Sequence, residues 1–145
     1  MPRFGTRSRN ALHSCDERLI KVFNEVIKTV DCAVLEGHRG KAKQNKYYEE
    51  GKTKLQYPLG RHNELPSRAC DVVPYPLDWN DRERFFMLAG FVLSVANKMG
   101  IKLRWGGNWR GLNKGKIDFS YNRRSDVLDD LPHFELLCAK DEQSK

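Results

Sequence analysis

RHNELPSRACDVVPYP, from Arg61 to Pro76, joins a polar loop to an apolar run and closes that run with prolines. Pro66 and Ser67 break the loop. Ala69 to Val73 then reads as a buried strand, ended by Pro74 and Pro76 because proline donates no ladder hydrogen bond. Asp71 stands inside this strand, where a carboxylate is costly unless it is paired or bound to a metal. His62 stands nine positions earlier, in the loop. An echo follows near the C-terminus: DDLPHFELL, Asp129 to Leu137, with Asp130, His133 and Glu135. His133 to Leu137 reads as a second strand. Side chains alternate along strands, so Asp71 and Val73 share one face and Cys70 and Val72 the other. His133 and Glu135 likewise share a face, opposite Phe134 and Leu136. If the two strands are adjacent, they present Asp71 and His133 on one surface, with His62 on the loop above.

Outward from this pair helices and strands are mixed. Leu19, Ile20, Val22, Phe23, Val26, Ile27 and Val30 recur at helical spacing and predict an amphipathic helix from Asp16 to Val30, capped by Ser14 or Asp16. Cys32 to Glu36 is a short apolar run stopped by Gly37, a buried strand. Lys41 to Glu50 is polar and predicts a short helix ending near Gly51. Gly51 to Gly60 is a polar loop. Phe85, Leu88, Ala89, Val92, Leu93, Val95 and Ala96 form the stripe of a helix from Asp81 to Met99, with Asn80 or Asp81 as cap and Gly100 as stop. Ile101 to Trp105 alternates like a strand, and residues 106–109 form a turn. Residues 110–126 read as a polar excursion, 1–10 as a loose basic lead-in and 140–145 as a tail. Without a regular βαβ rhythm, the class is α+β.

A chain of 145 residues holds one domain, here 1–145, and leaves no comfortable room for two. With 39% hydrophobic and 31% charged residues it is neither disordered nor fibrous. No apolar run approaches the roughly 20 residues of a membrane span. The basic N-terminus lacks the apolar segment of a Sec signal peptide. A net charge of +7 suits a polyanionic partner, whether nucleic acid, anionic membrane or wall polymer, and equally suits simple solubility. The four cysteines are scattered, with no C-x-x-C pair to build a zinc knuckle, and Cys32 and Cys70 belong to the core.

His62, Asp71 and His133 are ligand types that zinc accepts while leaving a position for water. Asp130 lies three residues before His133, behind the stiffening Pro132, where it can take a proton from that water. Arg39 offers a planar fork to a carboxylate or an oxyanion. Each residue also has a plainer reading. Either histidine alone can be structural, Asp71 can pair with an arginine, and Asp129-Asp130 can be turn chemistry. Arg39 is one of 26 basic residues. Trp105 and Trp109 fit a core or cleft wall better than a sugar platform, and His13 and His38 have no partner pattern.

The segments SRNALHSCDERL, VLEGHRG followed by Gln44, RHNELPSRACDVVPYP, KMGI, RWGGNW and DLPHFEL occur in this order. Together they resemble zinc peptidases of the lysostaphin, D-alanyl-D-alanine peptidase and hedgehog group, above all the phage L-alanyl-D-glutamate endopeptidases. The resemblance implies a central antiparallel sheet with flanking helices. It implies one catalytic zinc ion (Zn2+) held by His62, Asp71 and His133, with Asp130 as general base and Arg39 as the carbonyl-polarising or substrate-binding residue. Glu135 would steady a ligand or Arg39. The commoner family motif, S-x-H-x-x-G-x-A-x-D, sets histidine and aspartate closer than the nine positions here. Asn108 stands where the family often has aspartate, which puts any role of that carboxylate in question. The expected function is cleavage of the peptidoglycan stem peptide between L-Ala and D-Glu by a phage endolysin. The chain would be made in the host cytoplasm, released to the periplasmic wall by a holin, monomeric, and without nucleic-acid partner or stable membrane insertion. A D-Ala-D-Ala carboxypeptidase or dipeptidase would use the same ligands. A non-catalytic basic nucleic-acid or wall-binding protein would hold no metal.

Overall fold

A computed structural model describes residues 1–121 and 129–138 of the chain. Its centre is an antiparallel sheet in the order β1-β2-β6-β3, made of β1 (Cys32–Glu36), β2 (Ala69–Pro74), β6 (His133–Leu136) and β3 (Leu103–Trp105). The expected pairing of the two key strands is present, with Asp71 opposite His133, Cys70 opposite Phe134 and Ala69 opposite Glu135. In that register Cys70, Val72, Phe134 and Leu136 enter the core. There they meet Leu19, Val22, Phe23 and Val26 of α2 (Glu17–Val26) and Leu88, Val92, Leu93 and Ala96 of α4 (Arg82–Lys98). Phe23 packs edge-on against Phe134, ring centroids 5.6 Å apart. The core side of the sheet thus frees the side chains of Asp71, His133 and Glu135 for the other side.

Local signals set the helix ends. Asp16 accepts a hydrogen bond from the Arg18 backbone N–H at 2.9 Å and caps α2. Gly100 takes φ +72 after α4, a left-handed stop that glycine adopts without strain. Gly90 lies exposed inside α4, with open space where a Cβ would go. Gly90→Ala should therefore raise stability by about 0.5–1 kcal/mol, read from the urea midpoint. A lower midpoint would contradict the open exposure assigned to this face of α4.

Two expectations are corrected. Residues 1–10 are not a loose lead-in, because a helix, α1 (Thr6–His13), begins within them. The Ser8 hydroxyl accepts the Val34 N–H at 3.0 Å, and Ser14 Oγ accepts the His38 N–H at 2.8 Å. α1 therefore covers the outer edge of β1, which would otherwise expose unpaired backbone groups. A Cβ on Gly37 would collide with Ala11 O and Ser14 Oγ, so this close approach requires glycine. The helix escaped the sequence reading because serines make these contacts and arginines interrupt its apolar residues. The polar excursion also has structure: β4 (Leu112–Asn113) and β5 (Lys116–Ile117) form a hairpin. Lys114 and Gly115 turn it with positive φ values of 53 and 77. The end of that excursion and the tail at 140–145 lie outside the described residues. The helix α3 (Lys41–Glu49) forms where expected. Among the described residues no helix is long and apolar enough to cross a membrane.

Cys15, Cys32 and Cys70 are buried free thiols, while Cys138 is half-buried. Burial, with Asp31 nearby, pushes the Cys32 thiol up to about 12. A thiol reagent at neutral pH should modify Cys138 alone in the native protein and all four cysteines after unfolding. Fast native labelling of Cys32 or Cys70, followed by peptide mass, would contradict this packing.

Candidate active site

The site forms where β1 ends beside the loop that precedes β2. The Arg39 N–H donates to His62 O at 2.7 Å and ties the β1 exit to a single 3-10 turn, Arg61–Asn63. Asn63 strengthens the tie: Nδ2 donates to Arg39 O at 2.9 Å, and Oδ1 accepts the Gly60 N–H at 2.9 Å. His62 is aimed by its Nδ1, which donates to Gly37 O at 2.7 Å. A carbonyl only accepts, so Nδ1 carries the proton and Nε2 presents a lone pair. That Nε2 lies 3.3 Å from Asp71 Oδ1. His133 is aimed the opposite way. Its Nε2 donates to Glu135 Oε1 at 2.8 Å, leaving Nδ1 3.4 Å from Asp71 Oδ1 and 3.9 Å from Asp130 Oδ2.

His62, Asp71 and His133 each offer a ligand atom, all within 4.8 Å of one another. His62 Nε2 and Asp71 Oδ1 are buried without a hydrogen-bond partner. Leaving such atoms unsatisfied is expensive. Two imidazoles and a carboxylate, with both rings fixed from behind, form a donor set that suits zinc. The residues therefore fit a divalent metal ion.

The surrounding charges are arranged around this cluster. Burial pushes the Asp71 carboxyl up, but the two histidines packed against it outweigh burial and hold the group well below the usual carboxylate range. Burial opposes the charge on His133, yet the Asp71 and Glu135 carboxylates beside it raise it to about 10 in the metal-free protein. Asp130 moves upward, first through burial and then through repulsion from Asp71. Arg39 is buried, with Nη1 donating to Gln44 Oε1 and Nη2 to Glu36 Oε2, both at 2.9 Å. Its Nη2 also reaches within 3.7 Å of Asp71 Oδ2. All six residues singled out in the sequence thus meet in one cleft, of about 810 Å³.

Glu135 is the anchor of the His133 side. Burial raises its pKa, but His133 and then Arg104 pull it down to about 2. Arg104 donates to Glu135 Oε2 through Nη2 at 2.7 Å. A depressed carboxylate stabilises the fold above its unfolded pKa, near 4.5, and that contribution is lost as pH falls toward 2. Glu135→Gln should therefore lower stability at pH 7 and flatten the acid limb of a midpoint-against-pH curve. An unchanged slope between pH 5 and 2 would count against the Glu135 assignment.

Other contributors had weak sequence signals. Gln44 is only 1% exposed, yet it sits in a polar helix with no apolar stripe to mark it as internal. Asn63 and Arg104 act by hydrogen bonds across distant segments, and Glu36 by one to Arg39 three residues on, none of which apolar spacing reveals. Gly106 is required because a Cβ there would strike the Asp130 backbone carbonyl. The Gly106 N–H donates to His133 O at 2.8 Å and the Asp130 N–H to Gly106 O at 3.1 Å, fixing Asp130 beside the cluster. Trp109 is a cleft wall, 5.3 Å from the His133 ring, and Trp105 is buried. Asn108 Nδ2 donates to Ser120 O at 2.9 Å, bracing a turn away from the cluster.

Residues 1–137 match the family model for the phage L-alanyl-D-glutamate peptidase. The chain belongs to this family. It is also similar to the L-alanyl-D-glutamate peptidase of Escherichia phage T5, 28% identical over 112 residues, covering 74% of this chain and 81% of that one. Its fold is similar to the crystal structure of Serratia marcescens L-Ala D-Glu endopeptidase ChiX, with a TM-score of 0.71 and 26% identity over 94% of this chain and 91% of the other.

Proposed function

We propose that this protein is a zinc-dependent endolysin that hydrolyses the L-Ala–D-Glu bond of the peptidoglycan stem peptide. The observation that carries the reading is the His62–Asp71–His133 cluster, with two buried ligand atoms left unpartnered, in a chain of this family. A zinc ion held by these three residues would supply Lewis acidity toward the scissile carbonyl and lower the pKa of water to about 7.

The chain's own groups do the rest. Asp130 Oδ2 lies 3.9 Å from His133 Nδ1 and is not one of the three residues that would hold the metal. Its raised pKa suits a base that accepts the attacking water's proton and returns it to the D-Glu nitrogen. Arg39 holds Asp71 in place and adds positive charge where the carbonyl oxygen becomes negative. Glu135 and Gly37 O keep the two imidazoles facing inward. The net charge of +7 favours approach to an anionic wall, which the protein would reach after holin-dependent release. Mass analysis of digested muropeptides tests the bond. The expected products are N-acetylmuramoyl-L-Ala and peptides beginning with D-Glu. Free D-Ala with the L-Ala–D-Glu bond intact would instead assign a D,D-carboxypeptidase.

A further inference from the structure

The L-Ala–D-Glu bond has a sugar on one side. L-Ala is amide-linked to the lactyl group of N-acetylmuramic acid, so a pyranose ring lies one residue from the scissile carbonyl. Any cleft that cuts this bond in the intact wall must leave a surface for that ring close to its catalytic centre.

Side-chain contacts across the cleft run from Arg39 to Asp71, from Asp71 to His133, and from His133 to Asp130. Beyond Asp130, its neighbour Asp129 accepts from Arg82 Nη2 at 2.7 Å and from the Tyr121 hydroxyl at 3.1 Å. Arg82 opens α4, and the segment leading into α4 carries Trp79. Trp79 lines the same cleft, yet is 56% exposed. One face of its indole is stacked on Phe85, centroids 5.4 Å apart and planes 13° from parallel. The loop under it is held in shape: the Asn80 N–H donates to Asp78 Oδ1 at 3.0 Å, and Arg84 Nη1 donates to Pro76 O at 2.6 Å. Tyr75 and Leu77 of the same run are exposed but do not line the cleft. A flat indole on the wall of that cleft, braced on one face by Phe85, suits the apolar C–H face of a pyranose.

We propose that Trp79 is the saccharide platform of the cleft, stacking on the N-acetylmuramic acid ring of the acyl side of the substrate. The inference rests on the bond assigned above. Trp79 is then a specificity residue, and its contact exists only when the sugar is attached.

The test compares kcat/KM on N-acetylmuramoyl-tripeptide and on the same tripeptide without sugar, for wild type, Trp79→Ala and Trp79→Tyr. Wild type should prefer the sugar-bearing substrate. Trp79→Ala should lose that preference, falling on the order of tenfold on the muropeptide while holding its rate on the free peptide. Trp79→Tyr should keep most of the preference. Equal losses on both substrates, or no sugar preference in wild type, would overturn the platform while leaving the bond assignment intact. Cleavage of neither substrate at L-Ala–D-Glu would overturn both.

Discussion

Asp130→Asn should keep the fold and the bound metal while lowering lytic activity by about 10²- to 10⁴-fold, the loss typical of a removed acid–base group. Asparagine preserves the shape of the side chain. The local turn is held by backbone bonds, from the Asp130 N–H to Gly106 O and from the His133 N–H to Asp130 O. Only proton transfer is removed. Turbidity loss of permeabilised Gram-negative cells reports the activity, and metal content measured on the same sample separates the roles. If Asp130→Asn also sheds the metal, Asp130 is a ligand and the division of labour in the cleft is wrong. If activity persists, another group handles the proton, and Asp129 is the first to test, since Arg82 and Tyr121 hold its Oδ2 while its Oδ1 is buried without a hydrogen-bond partner.

Phe134→Ala should cost about 3–5 kcal/mol of stability, the range for truncating a buried aromatic. Phe134 is 1% exposed, packs against Phe23, and pairs with Cys70 across the sheet and with Trp105 on β3. It also stands between His133 and Glu135, so the same strand residue that fills the core sets the pitch of the site. Urea unfolding gives the change directly. Metal affinity should fall as well, because β6 loses the packing that aims His133. A loss under about 1 kcal/mol would mean the core closes over the gap, contrary to close packing around this ring.

The reach of the sequence follows from the kind of signal each residue carries. β2 and β6 were legible because alternation over a few residues fixes which side chains share a face, and Asp71 and His133 came out opposite each other. α2 and α4 were legible because their apolar stripes repeat at helical spacing. α1 was not, since its docking relies on Ser8 and Ser14 hydroxyls bonding to backbone on β1. His62, Asp71, His133 and Asp130 were legible as a motif within a recognised family pattern, and the structure brings them together. Their supports were not: Gly37 O, Asn63 and Arg104 act through contacts between segments far apart in the chain, and Gln44 reaches Arg39 from a helix with no apolar stripe. Hydrogen bonds of that kind leave no periodicity. Arg39 shows the difference well. The sequence offered a free fork for substrate, whereas the structure has both terminal nitrogens engaged by Gln44 and Glu36.

The central claim is that His62, Asp71 and His133 hold the metal ion on which peptidase activity depends. The most direct measurement is the zinc content of the purified 145-residue chain, and of its His62→Ala variant, after equilibrium dialysis against zinc and removal of free metal. The expected result is about one zinc per wild-type chain, in keeping with a three-residue site, and loss of both zinc and lytic activity in His62→Ala. Wild-type protein that cleaves the stem peptide without bound metal, or a His62→Ala protein that retains zinc at full occupancy, would contradict the account.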